Sequence, residues 1–154
     1  MTFTFDVFKN IRPYYLQYLE NCSLETLNKI PDGYNNNMIW NIGHALVTTQ
    51  MLCYGLSGQP LKISEDLVSK YRKGTKPEGD VTQAEVDEIK TLFGTTIDTL
   101  ETDYNKGIFK NFKPYTVSTT GNTLTSIDDA VQFSLFHEGL HLGYILSQIR
   151  AVKN

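Results

Sequence analysis

His137 and His141 stand four residues apart in the stretch FSLFHEGLHLGYILSQ, and the last of the chain's three histidines, His44, lies in the charge-free WNIGHALVTTQML. On a helix, positions i and i+4 stack on one face about one turn apart. Two imidazoles so placed can grip one divalent cation, and a third from a packed neighbour completes a three-nitrogen set that leaves coordination positions open. A lone histidine on an apolar face is ordinarily a core residue bonded through one ring nitrogen. A pair one turn apart differs, because two neutral rings rarely satisfy each other and their burial costs desolvation that a shared cation removes. His44, His137 and His141 are the candidate metal ligands.

Residues His137 to His141 also spell H-E-x-x-H, in which a helix supplies two zinc ligands and the glutamate acts as general base of a metallopeptidase. That zincin-type reading lacks a third ligand downstream. Tyr144 and Ser147 stand where the extended motif needs glycine and histidine, and no Asp or Glu follows His141. Glu138, about 100 degrees around a helix from His137, is expected to meet solvent or to pair with a Lys or Arg. As a general base it would have to reach metal-bound water within hydrogen-bond distance.

Four long helical segments must position these residues. The first runs from about Phe5 to Asn21 with a kink or first turn at Pro13, and a Ser23-capped piece follows before the Pro31-Asp32-Gly33 turn. The second runs from Met38 to about Leu56 behind an N-cap among Asn35 to Asn37, with Trp40, His44, Val47 or Thr48, and Met51 on one face. Trp40 is either simple core filling or a pocket wall beside the metal. A short amphipathic piece, EDLVSKY, and the Gly/Pro loop RKGTKPEGD form a long crossover. Thr82 and Glu85, at capping-box spacing, open the third helix, which shows a solvated face of Glu85, Asp87, Glu88, Lys90 and Asp98. An extended loop or small hairpin with a Gly121-Asn122 turn leads to the fourth helix, Ile127 to about Val152, capped by Ser126 with Asp129. One row of that last helix, Ala130, Ser134, His137, His141, Tyr144 and Gln148, is small or polar, as a site lining would be, and Ser134 and Tyr144 are the expected polar groups of the pocket. The pattern is all-α, a four-helix bundle with a long crossover connection.

At 154 residues the chain fits one domain, 1–154, able to bury about two thirds of its unfolded surface without a metal staple. A net charge of -3 and a pI near 5.6 leave no basic excess for nucleic acid. The longest uncharged run, 33–61, is too polar to span a membrane, and the N-terminus lacks the marks of a signal peptide. Cys22 and Cys53 show no framework spacing and read as buried thiols of a reducing compartment, so a cytoplasmic location is expected.

The lone histidine in WNIGHALVTTQ and an H-x-x-x-H-x-G-[QY]-I pattern, here HEGLHLGYI with Gly143 after the second histidine, resemble the DinB-like family of metal-binding four-helix bundles, which includes thiol-dependent S-transferases of the YfiT and bacillithiol-transferase type. The resemblance spans most of the chain, with Tyr144 where that family often has glutamine. It implies a facial triad of His44, His137 and His141 around one divalent ion, zinc or nickel ahead of iron or manganese. It also implies a low-molecular-weight thiol as co-substrate, a small electrophile as substrate and a homodimer. The function expected is therefore a metal-dependent thiol transferase or hydrolase. The alternative from another class is a non-catalytic bundle that uses metal for stability or small-molecule sensing.

Overall fold

The computed structural model describes residues 1–153. Helix α1 (Thr2–Asn21) runs unbroken through Pro13. The carbonyl that proline leaves without its amide partner belongs to Lys9, an exposed residue, so the loss falls on the solvent side. The one-turn helix α2 (Leu24–Asn28) starts at Ser23, whose hydroxyl accepts the Thr26 amide. Helix α3 (Met38–Gln50) starts at Asn37, whose side-chain oxygen accepts the Trp40 amide, and continues as a π-helical turn, Met51–Gly55. The expected end near Leu56 is thus reached, with one wide turn in place of α-helix.

The crossover contains α4 (Glu65–Tyr71) and delivers the chain to α5 (Gln83–Asn105). Thr82 caps α5 through the Glu85 amide. Glu85 is not simply solvated: its carboxylate accepts from Tyr71 Oη at 2.6 Å and from Lys70 Nζ at 2.9 Å, which ties the end of α4 to α5. A small antiparallel hairpin follows, β1 (Tyr115–Thr116) with β2 (Thr123–Leu124), pairing Tyr115 with Leu124 and Thr116 with Thr123. Helix α6 (Ile127–Lys153) opens on a reciprocal box in which the Ser126 hydroxyl accepts the Asp129 amide and the Asp129 carboxylate accepts the Ser126 amide.

The fold is an all-α bundle of α1, α3, α5 and α6. The closest packing is α3 on α6 and α1 on α5, with α1–α6 and α3–α5 contacts closing the ring. Two apolar clusters fill it. One gathers Tyr15, Leu19, Leu27, Ile42, Phe93 and Ile145; the other gathers Phe5, Phe8, Leu52, Tyr54, Leu100 and Val131. No helix among the described residues is long and apolar enough to cross a membrane.

Within the bundle interior lies a polar node to which each long helix contributes. Arg12 of α1 donates from Nη2 to Glu138 Oε1 of α6 at 2.7 Å and from Nε to Oε2 at 3.3 Å. Its Nη1 donates to the Phe93 carbonyl and Thr96 hydroxyl of α5, and the Thr49 hydroxyl of α3 donates to Glu138 Oε1. Tyr15 adds a hydrogen bond to the Glu138 carbonyl oxygen. Arg12 and Glu138 are 3% and 0% exposed. Arg12→Met alone strands a carboxylate in the core and is expected to destabilise the fold by about 3–5 kcal/mol, whereas Arg12→Met with Glu138→Leu should restore most of that loss. Urea midpoints of the two variants check this.

Candidate metal centre

Packing of α3 on α6 sets His44 against His137 and His141. One ring nitrogen of each lies within 4.8 Å of the other two. The ring centroids are 5.1 Å apart for His44–His137, 4.9 Å for His44–His141 and 4.5 Å for His137–His141. The three side chains are 7%, 7% and 9% exposed in chain order.

Hydrogen bonds decide which nitrogen each ring offers. His44 Nδ1 lies 2.7 Å from the Tyr71 carbonyl, which can only accept, so the proton sits on Nδ1 and Nε2 carries the lone pair. His141 Nδ1 lies 2.8 Å from Asn41 Oδ1. The amide nitrogen of Asn41 is already committed to Asn36 Oδ1, the Asn37 carbonyl and Gln148 Oε1, which turns the amide oxygen to the ring. His141 therefore also presents a bare Nε2. That nitrogen faces His137 Nε2 at 3.3 Å. Nitrogens held at about 2.0–2.1 Å around a tetrahedral cation stand roughly 3.3–3.4 Å apart, so the spacing fits a shared ion. His137 Nδ1 is buried with no hydrogen-bond partner. A buried, unpartnered His137 Nδ1 is costly, and the short approach of the two Nε2 atoms is consistent with a shared cation. Neutral imidazole nitrogens suit zinc, nickel, iron and copper alike.

The local sequence explains why His44 can be held by the crossover. A Cβ on Gly43 would lie 2.5 Å from the ring of Tyr71, so glycine is what lets the end of α4 close on α3 and offer its carbonyl. Trp40 stacks on the other side, ring centroid 4.7 Å from that of His44 and 9° from parallel, with its indole N–H donated to Thr75 Oγ1. It clamps the ligand ring from behind and does not line the cleft that reaches the histidines.

That cleft measures about 350 Å³, and His44, His137 and His141 form part of its wall. Tyr144 lines it too, with Met51, Leu52 and Leu140 as apolar wall and Thr48 near His44 Nε2 at 3.4 Å. Ser134, expected as a polar pocket group, lies elsewhere: it is fully buried, its hydroxyl 3.9 Å from Cys53 Sγ. The polar row of α6 is thus a site lining only at His137, His141 and Tyr144, because Ala130, Ser134 and Gln148 turn into the core. Glu138 is likewise withdrawn. It has the pairing with an arginine that its charge called for but no solvent, and with both carboxylate oxygens engaged it does not serve as general base at the cleft.

Sequence reasoning passed over Arg12, Asn41 and the Tyr71 carbonyl. Arg12 continues the row Phe5, Phe8, Tyr15, Leu19, and that placement was its signal. Asn41 precedes His44 by three and shares its face. The carbonyl left no trace in residue types.

Burial pushes all three imidazoles down. His44 falls below its ordinary value by desolvation, against a small opposing effect of the Tyr71 carbonyl. His137 drops to about 4, by desolvation and then repulsion from His44. His141 drops to about 3, by desolvation and then repulsion from His137 and His44. All three are neutral at pH 7, the form that binds metal.

Fold and site together define a helical bundle with a cluster of three histidines, on two facing helices, that could hold a metal ion. The chain belongs to the DinB superfamily, whose family model matches residues 8–145 and so takes in both histidine-bearing segments. No curated protein matches it in sequence.

Two outcomes are expected. In metal-free protein His137 takes up its proton below pH about 6.5 in the unfolded chain and only near 4 in the folded one. Stability therefore falls as pH drops through that window, by up to about 1.4 kcal/mol per pH unit for this histidine, and urea midpoints at pH 7, 6 and 5 for wild type against His137→Asn measure its share. Asn41→Leu, which removes the acceptor of His141, should weaken zinc binding about 10–100-fold in competition with a chelating dye.

Proposed function

We propose that the chain is a divalent-metal-dependent enzyme of thiol-transferase or related hydrolase type acting on a small electrophile, in the manner of the YfiT branch of its superfamily. The observation that supports it is the convergence of three neutral ring nitrogens on the wall of an open cleft, with no Cys, Asp or Glu joining them among the described residues. A structural site closes with a fourth protein ligand, while a catalytic one keeps a position for water or substrate. Held by three neutral imidazoles, a zinc or nickel ion supplies positive charge that brings a bound thiol or water towards ionisation near neutral pH.

The chain's own residues do the remainder. Asn41 and the Tyr71 carbonyl hold two rings in the tautomer that exposes Nε2. Thr48 Oγ1, beside His44 Nε2, offers a hydroxyl at the reacting end of the cleft. Met51, Leu52, Leu140 and Tyr144 give that end apolar surface for a substrate body. The attacking thiol comes from outside, since burial pushes Cys53 up to about 12 and leaves it protonated. A homodimer in the cytoplasm belongs to the same reading.

Protein purified without a nickel column is expected to carry one zinc or nickel per chain by elemental analysis. It should accelerate conjugation of a small thiol to a haloalkane, and His137→Ala should lower both metal affinity and rate by more than about 100-fold. Metal-free protein that gains neither metal nor thermal stability on addition of Zn²⁺ or Ni²⁺ would refute the reading.

A further inference from the structure

The cleft that reaches the histidines is chemically lopsided. Arg72 and Lys73 line it, Ser118 and Thr119 add hydroxyls, and no Asp or Glu takes part. The chain as a whole has 17 acids against 14 Lys and Arg, so a cleft holding two cations and no acid runs against its average. Arg72 and Lys73 have no carboxylate partner among the described residues; Lys29, Lys76, Lys106, Lys110 and Lys113 have none either, and what marks these two is that both line the cleft. Lys73 donates instead to the Ser118 hydroxyl at 2.7 Å, which joins the crossover to the hairpin.

Position ties this pair to the metal site. Arg72 and Lys73 directly follow Tyr71, whose carbonyl holds His44, so the strand of chain that orients a ligand also sets two cations beside it. Most of the remaining wall is apolar. Met51, Tyr115, Leu140 and Tyr144 are large hydrophobic side chains that stay exposed, and all four line this cleft.

We propose that the cleft receives a small carboxylic acid with an apolar body. Its carboxylate meets Arg72 and Lys73, its body lies along Met51, Tyr115, Leu140 and Tyr144, and its other end reaches the three histidines. A guanidinium takes a carboxylate through two parallel hydrogen bonds, and the neighbouring ammonium adds a point charge that can exchange Ser118 for the ligand. The wall offers no carboxylate to repel it. This names a substrate class for the function proposed above and rests on that reading only for the reacting end.

The test titrates zinc-loaded protein calorimetrically with 6-mercaptohexanoate and with 6-mercaptohexanol, which match in length and differ in their terminal group. The acid is expected to bind about ten-fold more tightly than the alcohol, a preference that fades as salt rises. Arg72→Gln with Lys73→Gln should erase the preference and leave zinc content and the alcohol's affinity unchanged. Equal affinities in the wild type, or a preference that survives the double substitution, overturn the proposal. Hexanoate added to metal-free protein, followed by the side-chain chemical shifts of Arg72 and Lys73, separates the two readings. Shifts that saturate and that the double substitution abolishes uphold the acid subsite even if the histidines hold no cation, and absence of shifts counts against it. In zinc-loaded protein, 6-mercaptohexanoate binding more tightly than hexanoate puts acid and thiol on one molecule; equal binding puts the acid on the electrophile.

Discussion

The buried ion pair between Arg12 and Glu138 constrains everything else in the bundle. A carboxylate sealed in a helical core must have its partners in register, and here they come from Arg12 of α1 and Thr49 of α3, while the Phe93 carbonyl and Thr96 hydroxyl of α5 hold the arginine in turn. Glu138 follows His137 directly in the chain. Fixing its direction therefore fixes the roll of α6 about its own axis, and with it the direction of both histidines. An apolar residue at that point would leave α6 freer to settle in several rotations of similar energy, since hydrophobic contact is non-directional.

Around the histidines the same logic repeats on a smaller scale. Each of two rings is aimed by an acceptor on its far nitrogen, and those acceptors are themselves held. Asn41 is locked by Asn36, Asn37 and Gln148, and the end of α4 is pinned through Tyr71 to Glu85 of α5. Trp40 adds a flat face behind His44. The cluster is thus held in place by the fold alone, at the expense of keeping neutral rings close together in a poorly solvated place. Met51 and Leu52, at the start of the π turn, extend along the helix the cleft face that His44 and Thr48 begin.

Much of this was legible in residue order. The four long helices, the caps at Ser23, Asn37, Thr82 and Ser126, and the hairpin near Gly121 all follow from period and turn chemistry. The three histidines were readable because the chain has no others and all sit in its least charged segments. What stayed hidden depends on tertiary pairing. Glu138 resembles any exposed glutamate until Arg12 is placed across from it, and each charge alone argues for solvent. Ser134 and Tyr144 lie on one helical row, yet the row passes from core to cleft along its length, a transition that periodicity does not mark. Glu85 offered a capping-box spacing and spent its carboxylate on Tyr71 instead.

The two aimed rings are tethered by different kinds of atom. Tyr71 supplies a peptide oxygen, which every amino acid possesses, so that tether is written into the route of the main chain and outlasts changes of codon so long as the route is kept. Asn41 supplies an amide oxygen that only a few residue types could imitate, so the second tether hangs on a single codon. Genetic drift would thus test the two halves of the centre unevenly, and on the first side the sensitivity falls on what keeps the route, the glycine at 43 that permits it and the Tyr71 hydroxyl that pins it to Glu85.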